Sequence, residues 1–378
     1  MAFDTLEIRI SLEKLLIGLI LIIVPLTFFG LYLTSQANTS VEQDIGAQFK
    51  SIAQNEGIAT SQFINDRVLD VATLARNPAV VDAINAAQRS RQGLDDAVVT
   101  ARVGKIESTW QTPQVDPLVK AMLSSPISQI LRHEREAEPR ILKILVADET
   151  GATVAATDKP LHYVQPNEVY WQAVYGEGRG GLYVSDIRYD DQTKTHYLEI
   201  GAPVLEEATR RFMGAVNALV DVSSLLSRFQ GQEIGRTART MLVLDDGTVI
   251  SAPNMDPSLR LKADEYPTVR DVLGTAQGRQ AGYVVASMRG GNRIVGFADT
   301  GLKRSYPNLG WLILVSQDER EALAPILSLG HFALLMVVLA LLMLTLLTVY
   351  FFLHRRQWFE DIEVQAVEKL PKNGAAAA

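Results

Sequence analysis

The sequence predicts an α+β membrane protein in which two transmembrane helices flank a long helix and two tandem antiparallel-sheet modules. Two apolar runs without charged side chains, residues 15–33 and 325–353, are each long enough to cross about 30 Å of hydrocarbon as a helix. The segment between them has a helical and then a strand periodicity. These observations together predict the fold class.

The basic residues near the two runs predict the orientation of the chain. Arg9 and Lys14 precede the first run, and Arg355 and Arg356 follow the second. Because cytoplasmic flanks are enriched in Lys and Arg, both termini are expected in the cytoplasm and residues 34–324 outside it. The first run exceeds the usual apolar core of a signal peptide, although a cleaved signal peptide remains the alternative.

Composition excludes several classes of function. The chain has no cysteine, which excludes disulfides and thiolate sites, and its net charge of −7 argues against nucleic acid as a partner. Its five histidines show no metal-ligand spacing. No nucleophile, acid–base pair or metal cluster emerges, so we expect no enzymatic activity, no metal and no cofactor.

A long helix is expected directly after the first apolar run. Val41, Ile45, Phe49 and Ile52 form an apolar stripe at spacings of 4, 4 and 3, and the pattern continues until Asn77-Pro78. The stripe predicts a homodimer through this stalk, with packing on the chain's own second module as the alternative. Further helices are expected at residues 79–91 and 117–132, the second opened by Asp116 and Pro117.

From residue 141 the periodicity predicts strands, which group into two sheet modules. The expected elements of the first module are strands 141–148, 152–158, 182–189, 195–205 and 211–222 and a closing helix 223–229. Those of the second are a hairpin 240–251, a helix 269–273 and strands 282–288, 293–299 and 311–317. Gly151 and Gly247 occupy similar hairpin turns, which suggests two copies of one fold.

Four short stretches in the first module resemble a known family. They are Tyr170-Trp171-Gln172-Ala173-Val174, Tyr183-Val184-Ser185-Asp186, Ala202-Pro203-Val204, and Gly214-Ala215-Val216 leading to Val220-Asp221-Val222. In order and spacing they resemble the double Cache (dCache) sensor domain of bacterial chemoreceptors and sensor kinases, across residues 39–323. The resemblance implies PAS-like modules and the inner membrane of a bacterium.

The resemblance also implies a ligand pocket in the first module. Carried over position by position, its lining would be Tyr170, Trp171, Tyr183, Asp186 and Asp221. Aromatic rings would form the walls, and the carboxylates would pair with an ammonium group. The alternative is structural: Tyr170 and Trp171 would cap the sheet core, and Asp186 would end a strand.

One position departs from the family pattern. Amino-acid-binding members carry an arginine two residues before the first aromatic residue of the pocket helix, and this chain has Glu168 there. A glutamate repels a carboxylate, so a cationic or neutral small molecule is favoured over an amino acid. Arg188 and Lys159 are possible replacements for the arginine, although both are interpreted as solvated loop or strand-edge charges.

The expected function is that of a membrane-anchored small-molecule sensor, which contacts the lipid bilayer and relays binding to a separate cytoplasmic or membrane signalling protein. The short tail, with a possible amphipathic helix at 355–370, is expected to lack an output domain. The alternative function is a non-sensing scaffold of an envelope complex.

The expected segments are a cytoplasmic N-terminus (1–14), transmembrane helix 1 (15–33), an extracytoplasmic domain (34–324), transmembrane helix 2 (325–353) and a cytoplasmic tail (354–378). The extracytoplasmic domain is expected to contain helices 39–140, a first module 141–230 and a second module 237–320.

Overall fold

The computed structural model describes residues 12–191, 193–231, 236–255, 259–275, 280–288, 290–324, 334–335 and 337–350. Arg9, part of the second apolar run and the predicted helix at 355–370 lie outside these ranges. Among the described residues, no helix combines the length and the apolar character of a membrane span. The chain divides into two compact units, Ile45–Glu319 on the one hand and Met1–Asp44 with Arg320–Ala378 on the other.

The helical part of the chain begins with the expected long helix. Its helices are α1 (Leu12–Ala75), α2 (Pro78–Arg89), α3 (Asp96–Thr109), α4 (Asp116–Leu123) and α5 (Pro126–Ala137). Asn77 ends the long helix as expected, because its side chain accepts a hydrogen bond from the Ala79 amide at 2.9 Å and so caps α2. The single helix expected over 117–132 is wrong, since Ser125 caps a new helix that begins at Pro126.

The first module is an antiparallel sheet with a helix on one face. Its elements are β1 (Ile141–Asp148), β2 (Thr153–Ala156), α6 (Val169–Tyr175), β3 (Tyr183–Val184), β4 (Arg188–Asp190), β5 (Thr195–Leu205), β6 (Phe212–Asp221) and α7 (Ser223–Ser227). The strand order is β2-β1-β6-β5-β3, and β4 pairs with β5. The strand expected over 182–189 is therefore interrupted, because the Ser185 hydroxyl takes the place of a backbone acceptor and binds the Glu199 amide at 2.9 Å.

The second module repeats the same strand order. Its elements are β7 (Arg239–Leu244), β8 (Val249–Ser251), α8 (Tyr266–Thr275), β9 (Ala281–Met288), β10 (Gly291–Asp299) and β11 (Trp311–Asp318). They form the sheet β8-β7-β11-β10-β9. The hairpin turns of both modules need glycine, because Gly151 and Gly247 have φ of 80° and 84°. The expected duplication is present in the topology.

Helix α1 lies close to the second module. A Cβ atom at Gly296 of β10 would come within 2.3 Å of the Phe49 backbone, and one at Gly46 would overlap the Tyr283 ring. Phe49 is accordingly only 1% exposed. This part of the apolar stripe packs on the chain's own second module, which was the alternative to a dimer contact.

Candidate ligand-binding site

One face of the first sheet carries the candidate site, because alternate side chains of β1, β5 and β6 point toward α6. Val174 and Tyr170 of α6 approach this face at Gly201, where a Cβ atom would lie 2.6 Å from Val174 Cγ2. Trp171 packs edge-on against Phe212, with ring centroids 5.6 Å apart. The glycine thus lets α6 settle over one end of the face and close it with aromatic rings.

A buried polar pair lies on the same face, since Glu199 is two residues before Gly201 in β5 and Asn217 of β6 pairs with Gly201. The Asn217 amide donates a hydrogen bond to Glu199 Oε1 at 2.9 Å, and Glu199 is 8% exposed. Asn217 Oδ1 is buried and accepts no hydrogen bond within the described part of the chain. Such an unpartnered acceptor costs about 1–3 kcal/mol, so it requires an explanation. A ligand that donates a hydrogen bond would provide one.

The electrostatics of the pair follow from its burial. Desolvation raises the pKa of Glu199 above its usual value, and the hydrogen bond from Asn217 and the charge of Arg188 oppose that rise. Burial also raises the pKa of Tyr170 well above the usual value, with further contributions from the charges of Glu199 and Glu168. Both glutamates therefore act on the space around Tyr170, which makes this region favourable to a cation.

Arg188 brings a positive charge to the edge of the site. Its Nη1 lies 3.3 Å from Glu199 Oε2, and its side chain is 46% exposed. Burial raises the pKa of Tyr183, and the negative charge of Glu199 adds to the rise while Arg188 opposes it. Tyr183 and Arg188 thus stand beside the same carboxylate, and Arg188, at the exposed start of β4, is a strand-edge charge that also pairs with Glu199. Lys159 lies elsewhere, 5.3 Å from the centre of the Trp110 ring.

The second module provides an internal comparison for this face. The two hairpins align β1 with β7, and the strand registers then match β6 with β11 and β5 with β10. At the positions of Glu199, Gly201 and Asn217 the second module has apolar side chains in its core, namely Val295, Phe297 and Leu314. The same face is therefore sealed in the second module and polar in the first.

The adjoining strand shows the same contrast. Tyr183 of β3 pairs with Gly201 of β5, whereas Gly282 of β9 pairs with Phe297 of β10. A Cβ atom at Gly282 would lie 2.9 Å from the Phe297 ring. The first module thus has the aromatic ring on β3 and the glycine on β5, whereas the second has the glycine on β9 and the ring on β10. In the second module the ring therefore occupies the centre of the face.

A cleft of about 700 Å³ opens beside the site. Its volume lies within the range of small-molecule pockets. Val169 and Ala173 of α6 form one side, and a loop of the second module that contains Asn308 forms another. The remaining lining residues are Leu182, Tyr183, Val184, Ser185, Asp186, Arg188, Tyr306 and Pro307. The cleft reaches Tyr183 and Arg188, which lead to the buried Glu199 carboxylate.

The segment that leads into α6 is held by α3, a helix that the sequence interpretation missed. Glu107 Oε2 accepts hydrogen bonds from the amides of Tyr163 and Val164 at 2.8 and 3.0 Å, and its Oε1 lies 2.8 Å from His162 Nδ1. The Trp110 ring nitrogen donates to the Pro160 carbonyl at 2.9 Å. These contacts fix the approach of α6 to the sheet.

The structure brings together three of the five residues implied by the family resemblance. Tyr170, Trp171 and Tyr183 form one aromatic cluster, 1%, 4% and 8% exposed. The Tyr170 hydroxyl donates to Gln165 Oε1 at 2.9 Å, so this side chain has a packing role as well. Direct contact of these rings with a ligand stays a prediction.

The other two implied residues lie apart from the aromatic cluster. Asp186 lines the cleft, where its Oδ1 accepts from the Ile187 amide at 2.8 Å and burial raises its pKa. Asp221 ends β6, and its Oδ1 accepts from the Ser223 amide at 2.7 Å, which satisfies the start of α7. A ligand contact for Asp221 stays a prediction, since its carboxylate already serves this turn.

Sequence reasoning missed the polar pair. Glu199 interrupts the otherwise apolar alternation of Leu198-Glu199-Ile200-Gly201-Ala202, and Asn217 similarly interrupts an apolar strand. A charged side chain within a strand that reads as buried is a signal in itself. Its pairing with Asn217 depends on the register of β5 against β6, which only the structure shows. No group of carboxylate or imidazole side chains in the described residues is arranged to hold a metal ion.

The combination of a stalk helix and two modules of identical strand order can be compared with known families. The family model of the double Cache domain (dCache_1, Cache domain) matches residues 37–326. The chain belongs to the Cache domain family. The matched region contains both sheets and the candidate site, and the family is the one that the sequence resemblance indicated.

Solved structures of similar fold are chemoreceptor ligand-binding domains. That of Pseudomonas aeruginosa PctC with GABA is 14% identical over 73% of this chain and 99% of its own, with a TM-score of 0.44. The domain of Campylobacter jejuni Tlp3 with 4-methylisoleucine is 9% identical over 75% of this chain and 94% of its own, with a TM-score of 0.47. The domain of Pseudomonas fluorescens CtaA with L-leucine is 13% identical over 75% of this chain and 99% of its own, with a TM-score of 0.44. A comparison with curated proteins finds no significant match.

Proposed function

We propose that this Cache protein is a membrane-anchored extracytoplasmic sensor whose first module binds a small molecule with an ammonium group. The observation that carries the proposal is the buried Glu199–Asn217 pair, because Asn217 Oδ1 has no partner within the described residues. The second module has Val295 and Leu314 at the equivalent positions, so the fold does not require a polar pair there. The pair is therefore attributed to binding.

An ammonium group matches the acceptors of this face. Glu199 supplies a negative charge, and Asn217 Oδ1 supplies a neutral acceptor, so two of the three N–H bonds find partners. Tyr170 and Tyr183 offer aromatic surface for the cation. Because the site is largely closed to water, a charge-assisted hydrogen bond is stronger there than at the surface.

The preference for a cationic or neutral ligand over an amino acid stays a prediction. Glu168 and Glu199 place two carboxylates near Tyr170, and Arg188 supplies one guanidinium. A ligand with an ammonium group and no carboxylate suits this balance of charge. Amino acids belong in the same screen, since they also carry an ammonium group.

A binding screen with a matched variant tests the site. Full-length protein in lipid nanodiscs would be screened by thermal shift against amines, amino acids, organic acids and purines, and hits measured by calorimetry. The double variant Glu199→Val/Asn217→Leu places the apolar pair of the second module into the first and should keep the sheet folded. We expect it to lower the affinity at least about thirtyfold, because a desolvated ion pair is worth on the order of 2–5 kcal/mol.

Asp221→Ala serves as the comparison variant. Its carboxylate accepts a hydrogen bond from the Ser223 amide, so this variant should weaken α7, and the predicted ligand contact of Asp221 should make it lower the affinity less than the double variant does. Equal affinity of wild type and the double variant, with a large loss in Asp221→Ala, would move the site toward Asp221. That result would contradict the assignment to Glu199 and Asn217.

The sensor is further proposed to span the inner membrane twice, to form a homodimer and to relay binding to a separate signalling partner. The positive flanks and the apolar runs support the topology. Relay requires that the ligand bind two conformations with different affinity. Pull-down from detergent with and without the ligand tests it, because a sensor's partner should respond to the ligand. A partner held equally under both conditions would indicate a scaffold.

A further inference from the structure

Arg188 occupies an unusual place in the candidate site. It begins β4, pairs with Tyr197 of β5 and directs its guanidinium toward Glu199, with Nη1 3.3 Å from Oε2. The carboxylate side chain is 10% exposed, whereas the arginine side chain is 46% exposed. The ion pair therefore joins a fixed buried anion to a cation that reaches it from the solvent side.

The two partners differ in how firmly they are held. Glu199 is fixed by the Asn217 amide at 2.9 Å, and its own amide donates to the Ser185 hydroxyl at 2.9 Å. The guanidinium of Arg188 is carried on a long flexible side chain, and half of that side chain is already hydrated. Moving the arginine side chain into water costs little, whereas moving the Glu199 carboxylate would break its hydrogen bond from Asn217.

We infer that Arg188 is an internal cation that holds the Glu199 carboxylate in the ligand-free protein and that a ligand's ammonium group must displace it. The inference rests on the proposed function, since it assumes that Glu199 receives the ligand. Arg188 then determines specificity: an uncharged donor cannot replace the guanidinium without leaving a buried negative charge unpaired. The internal competitor also lowers the apparent affinity by the fraction of molecules in which it is bound.

A displaced Arg188 side chain can move into a second cleft, which it already lines. This cleft has a volume of about 700 Å³, and its other walls include Thr248, Val249 and Arg260 of the second module. Asp186 lines both clefts, and its Oδ2 lies a long 3.7 Å from Nη2 of Arg260, with which it forms an ion pair. A released Arg188 is therefore free to approach Asp186 and compete with Arg260. Ligand binding in the first module would thereby change a contact to the second.

Calorimetry on the full-length protein in nanodiscs tests the inference with two probes. Butylammonium is a simple monocation, and 5-aminopentanoate is the same amine with an added carboxylate. We expect Arg188→Met to bind butylammonium about tenfold more tightly than wild type, because the competitor is gone. Arg179→Met is the control, since Arg179 is exposed and pairs with Glu177. Adding Glu199→Gln to Arg188→Met should abolish the gain.

The outcomes separate this inference from the proposed function. Unchanged or weaker butylammonium binding in Arg188→Met, with measurable binding by wild type, overturns the internal-cation role and leaves the ammonium site standing. A selective loss of 5-aminopentanoate in that variant assigns Arg188 to the ligand's carboxylate and also overturns it. Binding of neither probe by wild type or by Arg188→Met overturns the ammonium site itself, and the inference falls with it.

Discussion

Glu199 is a carboxylate at a buried position of a strand, where apolar side chains are usual. Its carboxylate is nearly fully buried, one oxygen is bound by Asn217, and the other faces Arg188. Burial opposes ionisation more strongly than these partners favour it, so the pKa of Glu199 stays above its usual value. The ionised carboxylate of Glu199 therefore lowers the stability of the fold.

That cost predicts a pH-dependent difference in stability between wild type and Glu199→Gln. The folded protein binds the proton of Glu199 more tightly than the unfolded chain, so stability is lost as pH rises through the raised pKa. Glutamine has no such proton. We expect the two melting temperatures to converge near pH 4 and Glu199→Gln to melt progressively higher than wild type toward pH 7.5. Calorimetric scans across this range measure the difference, and a constant difference would contradict it.

At the scale of elements, the segment before α6 depends on α3. The Glu107 carboxylate accepts hydrogen bonds from the backbone amides of Tyr163 and Val164 in this segment, at 2.8 and 3.0 Å. Charge-assisted hydrogen bonds of this kind are worth about 1.5–3 kcal/mol each. The helix that bears Tyr170 and Trp171 is therefore positioned by a carboxylate more than fifty residues earlier in the chain.

Glu107→Ala should loosen this segment without unfolding the sheet. We expect the amides of Tyr163 and Val164 to exchange with deuterium at least about tenfold faster, because a loss of 1.4 kcal/mol in local stability has that effect. Asp96→Ala, an exposed position on the same helix, is the control. Hydrogen exchange followed by mass spectrometry provides the measurement. Unchanged exchange at both amides would show that contacts other than those of Glu107 hold the segment.

The elements themselves were largely predictable, and their failures have physical causes. Strand β5 was predicted to the residue, because its apolar alternation is long and lies between clear turns. The helix expected over 117–132 was wrong because Ser125-Pro126 is a helix start within a helical pattern. Helix α3 was missed because it buries no side chain and so has no apolar stripe. The aromatic part of the site followed from the family pattern, but the Glu199–Asn217 pair required the register.

On the scale of the molecule, α1 and the second module are joined by a close backbone contact. Gly296→Ala would place a methyl group 2.3 Å from the Phe49 carbonyl carbon and 2.6 Å from the Lys50 nitrogen. Backbone atoms cannot give way as a side chain end does, so we expect a loss of about 2–3 kcal/mol in stability. Gly290→Ala is the matched control, because a Cβ atom there would meet none of the described residues within 4 Å, its chain neighbours aside. Thermal unfolding of both variants tests this prediction.

The proposed homodimer can be probed on the outer face of α1. Ile58 and Leu69 are 57% and 63% exposed and lie eleven residues apart, about three helical turns, so they share one face. In this cysteine-free chain, Ile58→Cys should form a disulfide-linked dimer in native membranes if two α1 helices pair along that face. Ile64→Cys, at a fully buried position, should not crosslink. Absence of crosslinking at Ile58 would count against pairing through this face.

The exchanged positions of large and small side chains in the two modules restrict how either module can change. Tyr183 faces Gly201, and Gly282 faces Phe297. A single substitution toward the other arrangement creates either two glycines, which leave a void, or two aromatic rings, which cannot both fit. Conversion of one arrangement into the other by single substitutions therefore passes through a less stable intermediate. A variant that exchanges both residues of a pair at once avoids that intermediate.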